Sequence, residues 1–201
     1  MSGGASFMIN METKSVLLAG VGGQGTLRAS DIMCLAMMEA GLDVKKSEVH
    51  GMAQRGGCVT SHVRYGSKVY SPLAKLGSID LLVAFEKMET LRYLNYLAKN
   101  AAIILSTDEI YPPSVNSGDV LYPEDTVTFL KNNFSLVKEI AATELAKKAG
   151  NVKTANIVLL GALSTLITDI PHSIWETVIR AAFPEKLVKV NLSAFQKGRD
   201  V

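Results

Sequence analysis

Gly20-Val21-Gly22-Gly23-Gln24-Gly25 is the stretch on which the reading of this chain turns. An apolar run, Val16-Leu17-Leu18-Ala19, leads into it, and a mostly apolar segment, residues 26–40, leads out. A buried strand that bends sharply into a buried helix has this pattern. Glycine lets the backbone turn tightly and lets another group come close to it. The first free N–H groups of the helix then point at whatever lies above the turn, a ready place for a phosphate or a carboxylate. Gly20, Gly22 and Gly25 satisfy G-x-G-x-x-G between strand and helix, the context that the dinucleotide fingerprint requires. A tight turn that binds nothing satisfies the same spacing.

Residues 15–19 read as the first strand, with few polar groups, as in a strand covered on both faces. Gly41 is the expected residue just past the helix. A second strand is predicted over 42–49, with Lys45, Ser47 and Val49 on one face and Val44, Lys46 and Glu48 on the other. His50-Gly51-Met52-Ala53-Gln54-Arg55-Gly56-Gly57 has little apolar periodicity and reads as a loop. Residues 58–65 form the next predicted strand. Gly66-Ser67 is a good two-residue turn, so Lys68-Val69-Tyr70 is expected to return as the second arm of a hairpin.

Further on, 79–85 is a central strand ending at Glu86. A helix over 88–97 would carry Leu91, Leu94 and Leu97 on one side. Residues 101–105 are strand-like, and 111–121 form a loop with Ser117-Gly118-Asp119 as a turn. A short helix is predicted over 123–131, while 135–140 fits either a strand or a helix start. The last part is helical: 141–149 up to Gly150-Asn151, a buried helix over 154–166, and a helix up to Phe183 that opens on a capping box of Ser173 and Glu176. A final helix is expected over 185–195. Strands alternating with helices predict a three-layer α/β/α, Rossmann-like domain with a mostly parallel mixed sheet that includes a β-hairpin. Residues 1–12 read as a disordered lead-in and 13–201 as one domain.

The 201 residues are 48% hydrophobic and 20% charged, enough to bury a sizeable core. With 21 basic and 19 acidic residues the formal net charge is +2. That balance argues against nucleic-acid binding through a broad basic face, and no run of like charge suggests a membrane patch. Cys34 and Cys58, without any C-x-x-C, supply neither a zinc ribbon nor the four thiolates of an iron–sulfur cluster. Two reduced thiols fit better than a disulfide. His50, His62 and His172 are scattered, so no metal site is expected. The first residues lack the pattern of a signal peptide, and the longest apolar stretch, 155–163, is too short to span a bilayer. A cytoplasmic chain is expected.

Ligands of open α/β sheets sit outside the carboxyl ends of the strands. Both glycine-rich stretches follow strands, so both are expected on that edge. The candidate binding residues are Gly22, Gly23, Gln24, Gly25 and Thr26 from the first, and His50, Gln54, Arg55, Gly56 and Gly57 from the second, with Glu86 nearby. Arg55 can clamp a phosphate or carboxylate through two parallel hydrogen bonds, although a lone arginine more often serves at a surface or interface. His50 suits acid–base work or a plain local hydrogen bond. Cys58 has no matched base and reads as an inert thiol. Neither a Ser–His–Asp arrangement nor paired carboxylates are visible, so no catalytic residue is assigned. Glu48 is available for the acidic position of a dinucleotide site. Against that reading, the chain passes from Glu48 into a loop rather than a helix, and no substrate domain remains.

The combination G-V-G-G-Q-G-T at 20–26, S-E-V-H-G-M-A-Q-R-G-G at 47–57, S-H-V-R at 61–64 and S-P-L at 71–73 resembles the gamma-type subunits of the 2-oxoacid:ferredoxin oxidoreductases. Within them it looks most like the beta subunits of the indolepyruvate type. A-F-E at 84–86, N-I-V-L-L-G-A-L at 156–163 and A-F-Q-K-G at 194–198 extend the resemblance over nearly the whole chain. Cys58 departs from the pattern, since serine is commoner there. The resemblance implies an enzyme that oxidatively decarboxylates a 2-oxoacid with coenzyme A, giving an acyl-CoA and CO2. Electrons leave for ferredoxin. It implies that thiamine diphosphate, Mg2+ and [4Fe-4S] clusters belong to a larger partner subunit and that this chain holds no cofactor alone. With the charge balance, no contact with nucleic acid or membrane is expected, and a homodimer is plausible when the partner is absent. A stand-alone reductase that binds NAD(P) or flavin is the alternative.

Overall fold

The computed structural model describes residues 11–50 and 57–201. A central sheet of six strands carries helices on both faces. In chain order the elements are β1 (Lys14–Val21), α1 (Thr26–Glu39), β2 (Asp43–His50), β3 (Cys58–Gly66), β4 (Ile79–Ala84), α2 (Lys87–Arg92) and β5 (Leu97–Ser106). There follow α3 (Pro113–Asn116), α4 (Thr126–Asn133), β6 (Leu136–Ile140), α5 (Ala142–Ala149), α6 (Ala155–Ser164), α7 (His172–Ala182) and α8 (Glu185–Arg199).

The strand order is β2-β3-β1-β4-β5-β6. β1, β4, β5 and β6 run parallel, and β3 runs antiparallel to both of its neighbours. Every residue of β1 after Lys14 is buried, as its apolar run requires of a strand covered on both sides. One face packs Val16 and Leu18 against α1 and the helices α5 to α8. The other packs Leu17 and Ala19 with Leu82, Ile103 and Leu105 under α4 and the turn that follows α2.

The hairpin expected at Gly66-Ser67 does not form. Both sides of β3 are already occupied, by β2 and by β1, so a returning strand has no edge to join. Instead the Val69 N–H donates to Asp43 Oδ2 at 2.8 Å, which ties residues 67–78 down as a link to β4. The antiparallel pairs of this sheet are β2 with β3 and β3 with β1. Two other expectations shift. Leu97 belongs to β5, because the helix ends at Arg92 and only a single 3-10 turn, Leu94–Tyr96, separates them. The Ser173–Glu176 capping box is also absent. The N-cap is Pro171, two residues earlier than Ser173, its carbonyl taking the Ile174 N–H at 3.0 Å, which leaves Ser173 inside the helix and turns Glu176 towards His172.

α6 is buried on every side from Asn156 to Ser164, in keeping with its lack of an amphipathic pattern. It crosses α8 at a glycine contact. A Cβ on Gly161 would fall on the Phe195 carbonyl, and one on Gly198 would fall on the Val158 carbonyl. Close approach of the two backbones is possible only with both glycines. Gly198→Ala should therefore destabilise the chain by about 3 kcal/mol or more, measured by denaturant unfolding. Gly22→Ala, where a Cβ would meet only Gly57 O at 3.6 Å, should cost well under half of that.

Candidate functional site

β1 ends at Val21 and the chain turns through Gly22 to Gly25 into α1. The turn is held by Gln24. Its Oε1 accepts the Val21 N–H at 2.8 Å, and its Nε2 donates to the Phe85 carbonyl at 2.7 Å. The end of β1 is thereby tied to the end of β4, where Phe85 N–H also donates to Ala19 O at 2.7 Å. Gly20 lies under this arrangement. A Cβ there would come within 2.7 Å of Thr26 Oγ1, 2.8 Å of Phe85 Cβ and 2.9 Å of Gln24 Oε1.

Gly25 precedes α1 with φ +78°, a left-handed conformation that favours glycine. Asn156 of α6 fills the space that a Cβ on Gly25 would need, and its Nδ2 donates to Gly25 O at 3.2 Å. Among the described residues no side chain caps α1, and no acidic residue stands in its first turn. Its leading N–H groups, at Thr26, Leu27 and Arg28, thus lack intrahelical acceptors and give this end a positive potential.

A cavity of about 690 Å³ opens beside the turn. Gly23, Gln24 and Gly25 form one wall, Asp108 to Ile110 from the exit of β5 a second, and Thr143, Val152, Lys153 and Ala155 a third. Its carboxylates are already engaged. Asp108 Oδ2 accepts the Thr143 hydroxyl at 2.7 Å. The Lys87 ammonium pairs with Glu109 and holds its carboxyl below the usual range. The Lys153 ammonium has no ion-pair partner among the described residues. Helix end and lysine together suit an anionic group. A smaller cavity of about 340 Å³ lies on the other side of the turn, lined by Val21, Gly22, Thr26, Arg28 and Val59 among others.

Of the second glycine-rich stretch, Gln54, Arg55 and Gly56 lie outside the described residues, as does the side chain of His50. The backbone of His50 ends β2 opposite Val59. Gly57 is placed: its carbonyl accepts the Gly22 N–H at 3.0 Å, so the two glycine-rich stretches touch. Glu86 does not face the cavity. It is fully buried; Oε2 caps α2 at the Glu89 N–H (2.9 Å), and Oε1 accepts from Tyr122 Oη (2.5 Å) and the Ile110 N–H (3.3 Å). This carboxylate folds the segment after β5 back onto the sheet edge, and with burial it pushes the Tyr122 phenol upward. Sequence reasoning missed Asp108, Thr143, Asn156 and Lys153. The position of Asp108 just past a central parallel strand was the available signal; the other three are set by how α5 and α6 dock.

Both thiols are half-buried. Burial pushes Cys58 up to about 11, and its Sγ lies 2.6 Å from Tyr93 Oη. Burial pushes Cys34 up to about 12. Among the described residues no group of three or more His, Cys, Asp or Glu side chains is placed to hold a metal ion, and no helix is long and apolar enough to cross a membrane.

A family model described as pyruvate ferredoxin/flavodoxin oxidoreductase matches residues 15–201. An indolepyruvate oxidoreductase subunit IorB of Archaeoglobus fulgidus is 42% identical over 189 residues, covering 92% of each chain. The subunit of that name from Pyrococcus horikoshii is 40% identical over 194 residues, 94% of this chain and 95% of the relative. Among solved structures, the gamma subunit of a keto/oxoacid ferredoxin oxidoreductase from Geobacter sulfurreducens superposes with a TM-score of 0.73 at 23% identity. It covers 94% of this chain and 95% of that one, a likeness of fold.

Two outcomes follow from this geometry. Gln24→Ala removes both hydrogen bonds of the turn and should cost about 1–3 kcal/mol in denaturant unfolding. Raised thiols leave little reactive thiolate near neutral pH, so mass spectrometry should find Cys34 and Cys58 alkylated much more slowly in the native chain than after unfolding.

Proposed function

The chain belongs to the pyruvate ferredoxin/flavodoxin oxidoreductase family, and from that premise we propose that it is the gamma-type subunit of a thiamine-dependent, cytoplasmic 2-oxoacid:ferredoxin oxidoreductase. The substrate class is indolepyruvate or a related aryl pyruvate, a choice that rests on the relatives named as indolepyruvate oxidoreductase subunits. The complete enzyme converts the 2-oxoacid and coenzyme A to an acyl-CoA and CO2 and passes two electrons to ferredoxin. Thiamine diphosphate with Mg2+ supplies the electron sink for decarboxylation, and [4Fe-4S] clusters supply the electron path. This chain's residues do not fit a cluster. It has two cysteines, one on α1 and the other bonded to Tyr93 at the start of β3. A larger partner subunit holds these groups.

The part left to this chain is to bind and position. The open end of α1, with Gly23, Gly25, Thr26 and Lys153 around it, suits a phosphate or carboxylate. Gly22, Gln24 and Gly57 hold the turn that presents it. Gln54, Arg55, Gly56 and His50 belong to the adjoining stretch, with Arg55 available to clamp an anion. In this reading the edge faces the partner's thiamine-bearing domains and shapes the coenzyme A entrance.

The stand-alone NAD(P) or flavin reductase is the weaker reading. In a dinucleotide fold the acidic residue that holds the ribose ends the strand beside β1. Here β3 lies between β1 and β2, so Glu48 stands two strands away, roughly 10 Å to the side, and pairs with Lys46 at 2.5 Å.

Match over residues 15–201 carries the proposal. Anaerobic purification of the tagged chain from its native host, with mass, iron and thiamine analysis, tests it. The expected result is a large partner carrying thiamine and iron, after which a 2-oxoacid screen should find turnover with aryl pyruvates. Recovery of the chain alone with a bound nucleotide would establish the reductase instead. Within the complex, Arg55→Ala should raise the apparent KM for coenzyme A several-fold or weaken assembly; if it changes neither, the role given to Arg55 is wrong.

A further inference from the structure

The sheet ends in two edges of different kinds. β6 is a short edge of five residues. β2 has eight, and among the described residues no strand pairs with its outer side. A long open edge is a template for another strand. Above this one, α1 presents Asp31, Leu35 and Met38 along a single stripe, at positions i, i+4 and i+7. Leu35 is 49% exposed and Met38 60%. Asp31 pairs with Lys46 of β2, and Cys34 in the same stripe feels the charges of both Lys46 and Glu48, so the stripe overhangs the β2 edge. On the opposite face of the sheet Val49 is 53% exposed.

We propose that this edge joins two copies of the chain. β2 pairs antiparallel with its twin about a two-fold axis through Ser47, and the six-stranded sheets become one of twelve strands.

The charge pattern selects the register. A two-fold axis normal to the sheet keeps every residue on its own face, so paired residues are both even or both odd in number. The strand's midpoint allows two registers that keep most of it paired. Centred on Ser47, Lys46 of each copy stands opposite Glu48 of the other, and Lys45 stands opposite Val49. Centred on Lys46, two lysines face each other, and directly opposed like charges are destabilising. Within one copy Lys46 already meets Glu48 at 2.5 Å, so the Ser47 register closes four charges of alternating sign into a ring across the seam. The same rotation brings the two α1 stripes to one side of the sheet, facing each other across that seam, where Leu35 and Met38 gain cover. The inference rests on β2 and α1 alone and stands independently of the enzymatic reading.

Ser47→Cys, made in a Cys34→Ser, Cys58→Ser background of the full chain, tests it. Residues directly opposite in an antiparallel pair have Cα atoms about 4.5–5.5 Å apart, within the range that a disulfide spans. Mild oxidation should convert most of the folded variant to a covalent dimer, while Ser71→Cys in the same background stays monomeric on a denaturing gel. Light scattering of the unmodified chain should give twice the monomer mass. K46E and E48K should each weaken dimerisation at least tenfold, and K46E/E48K should restore it. A folded monomer by light scattering overturns the proposal. So does a folded Ser47→Cys variant that does not cross-link, or a β2 edge that becomes protected from hydrogen exchange only when the larger subunit is added.

Discussion

One side-chain amide holds together the edge on which this protein's candidate site is built. Gln24 takes the N–H at the end of β1 and gives a hydrogen bond to the carbonyl at the end of β4. An amide is suited to the task because it carries a donor and an acceptor on one rigid plane. The bond pair fixes the glycine turn, and the turn fixes where α1 begins. Gly25 then accepts Asn156, which seats the buried helix α6 against the same point. The cavity between the turn, the exit of β5 and the start of α6 is the space left over when those docking relations are satisfied.

Polar groups at this edge divide into two sets. Glu86, Asp108 and Glu109 each have a hydrogen-bond or ion-pair partner within the chain. They act as clamps, Glu86 most of all, since a buried carboxylate is tolerated only when its oxygens are satisfied. The leading N–H groups of α1 and the Lys153 ammonium form the other set, donors without intrahelical or ion-pair partners among the described residues. The Lys87 ammonium offsets the charge of Glu109, whereas Asp108, bonded to a neutral hydroxyl, keeps its own.

Much of this was legible in the residues. The apolar run before Gly20, the glycine spacing and the long apolar segment after it led correctly to β1, the turn and α1, because each is decided by neighbours in sequence. The hairpin at Gly66-Ser67 failed because its turn chemistry is local, whereas the availability of an edge depends on β1 and β2 both flanking β3. Ser173 failed through competition, since Pro171 starts the helix before a serine cap can act. Leu97 sits at helical spacing from Leu91 and Leu94, yet the burial it finds is in a strand. In the site, Gly22 to Thr26 were readable as a motif. Asn156 and Lys153 were not, because α6 reaches Gly25 from 131 positions away.

The glycine crossing of α6 with α8 also bears on how the chain is made. α6 has almost no polar surface, and its cover on one side is α8, which follows it in the chain. Synthesis runs from the N-terminus, so α6 is complete before the backbone that must lie against Gly161 exists. During that interval the most apolar helix of the protein is an exposed sticky surface, the condition under which nascent chains aggregate or engage chaperones. The turn of α8 around Gly198 is therefore the segment whose arrival covers that face of α6.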